Sequence, residues 1–116
     1  MPEYRYFSEE EFVCQHTGRN EIKEDLLFRL DFLRDECGFP FVITSGYRDP
    51  THPVEARKLE PGTHSQGIAA DIRVTNGFER RMLVKQALKF GFSGIGVAKG
   101  FVHVDVRKTS PVLWSY

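Results

Sequence analysis

Thr63-His64-Ser65-Gln66-Gly67-Ile68-Ala69-Ala70-Asp71-Ile72 carries an imidazole and a carboxylate seven positions apart, with a glycine between them. From Ile68 onward the stretch turns apolar and reads as a strand over 68–74. Side chains alternate across a strand, so Ile68, Ala70 and Ile72 share one face while Ala69 and Asp71 share the other. A second strand is expected over 101–107, Phe101-Val102-His103-Val104-Asp105-Val106-Arg107. There the three valines line one face, and His103 and Asp105 point away from it.

If these two strands are neighbours in a sheet, Asp71 and His103 converge. His64 reaches the same point from the preceding turn, with Gly67 letting the chain bend. Two neutral imidazoles and one carboxylate form a three-donor set suited to Zn²⁺, with a fourth position left for water. Each residue alone has a plainer explanation: His64 as a surface loop residue, Asp71 as an arginine partner, His103 as a strand histidine with satisfied hydrogen bonds. Their coincidence on one face favours a metal.

The rest of the chain supplies a frame for those strands. Ser8, with Glu9 to Glu11 behind it, starts a short helix ending near Cys14-Gln15-His16, and Thr17-Gly18-Arg19-Asn20 is a turn. Residues 21–37 form an amphipathic helix through Ile22, Leu26, Leu27, Leu30 and Leu33, with Phe28 and Phe32 widening the apolar stripe and Gly38 as its stop. Phe28, Phe32, Phe39 and Phe41 are expected in the core. A short strand over 41–45 leads into an irregular stretch, 46–62, with a possible helical turn at 54–57. A second helix over 78–90 points Met82, Leu83, Val84, Ala87 and Leu88 inward. Strands at 94–97 and 101–107 meet through Ala98-Lys99-Gly100 as a hairpin. The tail, 108–116, carries the only Trp, Trp114, and is expected to fold back over the core. The sum is a single α+β domain over residues 1–116, with a small, mainly antiparallel sheet and helices packed on one face.

Composition narrows the function. Hydrophobic residues make up 41% and charged residues 28% of the 116, which suits a folded globular chain. With 16 basic and 16 acidic residues and no basic block, a nucleic-acid partner is disfavoured. No apolar run is long enough for membrane insertion, and the first residues lack the apolar core of a secretory leader. Cys14 and Cys37 are too few for a disulfide framework and read as two free, largely buried thiols in a reducing compartment, with one bridge between them as the alternative.

Ser45-Gly46-Tyr47-Arg48, the spaced set His64, Gly67, Ala69 and Asp71, Gly94-Ile95-Gly96 and the 101–107 strand together resemble the M15-type zinc D-Ala-D-Ala carboxypeptidases and L-Ala-D-Glu endopeptidases. The likeness is greatest to the short branch found in bacterial and phage cell-wall enzymes. It runs through nearly the whole chain, including the Phe7 to Cys14 start. It implies the fold shared with the Hedgehog signalling domain and a zinc peptidase cutting the stem peptides of peptidoglycan. It further implies zinc ligands at His64, Asp71 and His103, and Arg48 contacting substrate or a developing oxyanion. A chain without a leader then suits a phage lysis enzyme, made in the cytoplasm and released to the cell wall by a holin. A monomer is expected.

Two positions depart from the family pattern. Gly62 stands where many members have Ser, and Gly100 stands where many have the acid that serves as general base. The proton carrier must then come from elsewhere. Asp105 is the nearest candidate, with an equal alternative in which it orients His103 or pairs with Arg107. His52, Glu55 and Glu60 are weaker candidates, and Tyr47 is a candidate for lining the substrate cleft. The Gly100 departure also motivates a rival function, a zinc-binding module of the same fold without catalysis.

Overall fold

A computed structural model of the chain describes residues 6–52 and 62–116. The helical turn expected at 54–57 lies outside the described residues, as do Glu55 and Glu60. In order, the elements are a 3-10 turn (Glu9–Phe12), α1 (Glu24–Cys37), β1 (Ile43–Ser45), β2 (Ala69–Arg73), α2 (Gly77–Lys89), β3 (Gly94–Val97), β4 (Phe101–Asp105) and β5 (Val112–Ser115).

The first helix begins three residues later than its apolar spacing suggests, because the backbone before it is used otherwise. Ile22 N–H donates to the Asn20 side chain and Lys23 N–H donates to the Gly67 carbonyl. The latter bond ties the start of α1 to the bend before β2. That bend needs Gly67: its φ is 75°, and a Cβ there would overlap the Glu21 carbonyl oxygen. At the far end Gly38 adopts φ 77° and its N–H closes on Arg34 O, stopping α1 where expected. The second helix is capped reciprocally. Asn76 Oδ1 accepts from Glu79 N–H, and Glu79 Oε1 accepts from Thr75 N–H.

The five strands lie in the order β1-β2-β4-β3-β5, antiparallel except for the β3–β5 pair. One face is apolar. Ala70, Ile72, Ile95, Val102 and Val104 are buried there against Leu26, Leu27, Leu30 and Leu33 of α1 and Leu83 and Ala87 of α2. Both helices therefore cover the same side, in an α+β arrangement. Phe41 is buried and Phe39 partly so, but Phe28 and Phe32 are each 49% exposed. The four leucines already fill the contact, and the two rings flank it, Phe32 edge-on to Phe90 at 4.8 Å. Leu88, expected inward, is 56% exposed on the last turn of α2.

The tail does not lie over the core. It extends the sheet as β5, with Val112 N–H on Ser93 O and Tyr116 N–H on Val97 O. Pairing satisfies the edge of β3, which would otherwise present open backbone groups. Cys14 and Cys37 are both buried and free. No helix among the described residues is long and apolar enough to cross a membrane.

Candidate metal centre

Strand register builds the site on the opposite face. Asp71 lies directly across from His103, and Ser45 across from Asp71; on the other side Gly96 faces His103 and Trp114 faces Gly96. One row of residues thus crosses all five strands. His64 enters from the Gly67 bend. The donor atoms then cluster: His103 Nδ1 is 3.0 Å from Asp71 Oδ1 and 3.2 Å from His64 Nε2, and His64 Nε2 is 3.2 Å from Asp71 Oδ1. All three residues are buried.

The partners of the outer ring nitrogens decide what the inner ones can do. His64 Nδ1 lies 2.8 Å from the Gly46 carbonyl, which can only accept, so the proton sits on Nδ1 and Nε2 offers a lone pair. His103 Nε2 lies 2.7 Å from Asp105 Oδ2, so that nitrogen donates and Nδ1 turns its lone pair inward. Two lone pairs and a carboxylate oxygen therefore face one another across about 3 Å, a cluster that calls for a cation or an added proton. Tetrahedral donors about 2.0–2.1 Å from zinc would be separated by about 3.3 Å, close to the spacing found. The residues present fit a metal ion of that kind, and His64, Asp71 and His103 are the group that could hold one.

Electrostatics agree with this arrangement. Once the cluster takes up the added proton, burial would still raise the Asp71 carboxyl, but hydrogen bonding and positive charge on the imidazole side outweigh it and hold it well below the usual range. Burial would likewise depress His103, yet Asp105 and Asp71 push it upward. Asp105, fully buried, is kept ionised against the cost of burial by His103 and by Arg107, whose Nε and Nη2 grip its two oxygens at 2.9 and 2.6 Å.

Arg48 stands at the edge of the cluster, Nη2 3.5 Å from Asp71 Oδ2 and Nε 3.1 Å from Ser45 Oγ. Tyr47 is not available to a substrate. It is 3% exposed, its hydroxyl donates to Glu21, and burial with that partner pushes its pKa up to about 12. Its neighbour alternates outward to the site while Tyr47 itself packs inward. Asp105 contacts the His103 nitrogen that faces away from the donor cluster, so it stands behind the ligand. Gly100 lies in the β3–β4 turn. His52 stacks edge-on against His16 at 5.9 Å.

Three contributors escape a reading of the sequence alone. The Gly46 carbonyl fixes the His64 tautomer. Gly94 leaves the space that the Asp105 carboxylate fills, since a Cβ there would overlap it. Gly96 leaves the space for Trp114, whose ring centroid is 5.1 Å from that of His103. The signal was present: two glycines on one face of a β-rich run mark a place where something approaches the backbone closely.

No curated protein matches the chain. The family model described as Peptidase M15 matches residues 5–105, which include every donor and Asp105 but stop short of β5. With that match over most of its length, and with the buried His64, Asp71 and His103 cluster on the sheet face opposite α1 and α2, the chain belongs to the peptidase M15 family.

Proposed function

We propose that this chain is a zinc-dependent peptidase acting on the stem peptides of peptidoglycan, as a D-Ala-D-Ala carboxypeptidase or an L-Ala-D-Glu endopeptidase of the endolysin type. The observation that carries the proposal is the inward aim of three buried donors, two of which, His64 and His103, are locked by a partner on the far side. Zinc bound there would act as a Lewis acid and lower the pKa of a coordinated water.

The chain's own residues do the remaining work. His64 and His103 are held in one tautomer and one orientation by Gly46 O and Asp105. Asp71 contributes a third donor and one negative charge. Arg48, anchored to Ser45, points a planar guanidinium at the edge of the cluster, where it binds a substrate carboxylate or the oxygen on which negative charge develops. Asp105 is assigned the positioning role and not that of proton carrier, because its oxygens are taken by His103 and Arg107 on the side away from the donors.

The same placement of Asp105, together with the absence of a side chain at Gly100, favours one rival, a metal-binding module without catalysis. Incubation of the zinc-loaded protein with defined muropeptides, followed by mass spectrometry, separates the two. The proposal expects cleavage at a single stem-peptide bond, lost in His64→Ala. Zinc bound without any product supports the rival instead.

A further inference from the structure

We infer that Trp114, on the strand beyond the family match, is a positioning residue of the metal centre: it seats His103 and the Arg107–Asp105 pair behind it. This inference rests on the metal reading above and adds a residue to it.

The register places Trp114 in the same cross-strand row as Asp71 and His103, with only Gly96 between. A side chain on β3 at that position would separate the indole from the imidazole. Glycine removes the obstacle, and the indole occupies the vacancy so closely that a Cβ on Gly96 would come within 2.6 Å of Cε2 and 2.7 Å of Cζ2 and Nε1. From there the ring meets His103 at 5.1 Å between centroids and an interplanar angle of 51°. It also carries the Arg107 guanidinium, whose Cζ lies 5.2 Å from the ring centroid, a cation–π distance. Arg107 in turn grips both oxygens of Asp105, and Asp105 accepts from His103 Nε2. One indole therefore touches the ligand directly and steadies the arginine that fixes the ligand's carboxylate partner.

Lying across the imidazole, the ring also shields the Arg107–Asp105–His103 bonds from water, which strengthens them. Partners beyond the metal ligands typically govern metal affinity by 10–100-fold. Trp114 acts through such a partner and through the ligand ring, so its loss belongs at the lower end.

The chain has one tryptophan, so its emission reports from this position without any substitution. Titrating the wild-type protein with Co²⁺ should quench that emission and saturate at one ion per chain. Emission unchanged by bound Co²⁺ would overturn the contact. In competition with a chromogenic chelator, Trp114→Ala should bind Co²⁺ about tenfold more weakly and show an altered visible Co²⁺ spectrum. Trp114→Phe, which keeps a ring over Gly96, should recover part of the loss, and Leu113→Ala, on the same strand but facing away, should bind as wild type. Trp114→Ala with unchanged affinity and spectrum refutes the inference while leaving the metal reading intact. A wild-type protein that takes up no Co²⁺ or Zn²⁺ refutes the metal reading itself.

Discussion

The two faces of the sheet are both buried, yet they are held by opposite physics. Ala70, Ile72, Ile95, Val102 and Val104 on the helix side need only be apolar and of suitable volume; α1 and α2 supply the cover. Burial there is non-directional, each large side chain contributing about 1.5–3 kcal/mol. On the other face Asp71, His103 and Asp105 are buried with no helix above them among the described residues. His103 and Asp105 are retained because their polar atoms find partners at hydrogen-bond distance, and the Asp71 carboxylate because the donor cluster takes a cation or an added proton. The same strands, shifted by one residue, would put valines at the metal and histidine in the core. The contrast teaches that stability is lodged mainly on one face and chemistry on the other, joined by strand register alone.

Substitutions that exchange the two characters test that division. The largest effect is expected from Val104→Asp, which places an unpaired carboxylate in the apolar cluster. It should cost several kcal/mol, of the order of the total stability of a small domain, and abolish the cooperative thermal transition seen by circular dichroism. Asp105→Asn makes the converse change on the metal face. The amide is nearly the same size but cannot serve His103 and Arg107 together, so the fold should persist while metal affinity falls about 10–100-fold in calorimetric titration. A variant that unfolds outright, or binds metal normally, would blur the division between the faces.

Smaller effects should appear in the pH dependence of the metal-free protein, with opposite signs for the two faces. Burial among apolar neighbours, with Glu36 nearby, raises the Cys37 thiol from 9.0 to about 12. A raised folded pKa gives a contribution present below the unfolded value and lost as pH climbs between those limits. Asp105 is shifted the other way. Its contribution is present above the ordinary carboxylate range, about 3.9, and is lost as pH falls through the depressed folded value. Denaturant unfolding as a function of pH should therefore show the alkaline limb flattened by Cys37→Ala and the acid limb flattened by Asp105→Asn.

Most of the apolar face could be read from the sequence, since alternation in 68–74 and 101–107 and the leucine spacing of α1 each follow from one element's own period. The donor triad was also legible, because Asp71 and His103 had to leave the valine face and Gly67 permitted the bend. What could not be read depended on neighbours in space. Phe28 and Phe32 fit the helical stripe, but whether a stripe's margin is covered depends on what packs beside it. The 108–116 tail has no long periodic run, and β5 exists because the β3 edge offers it backbone partners. Tyr47 and Arg48 are adjacent in the chain and share a motif, yet one is buried on Glu21 and the other faces Asp71. Sequence leaves Asp105 between two roles, because it places the residue on the same face as His103 but does not tell which ring nitrogen it meets.

The most direct test of the account is zinc stoichiometry and affinity by isothermal titration, for the wild-type protein and for His103→Ala after confirming that the variant is folded. One zinc per chain in the wild type, with binding lost or weakened by orders of magnitude in the variant, is the expected result. Absence of zinc binding in the wild type, or equal binding in folded His103→Ala, would contradict the assignment of His64, Asp71 and His103 as the metal centre.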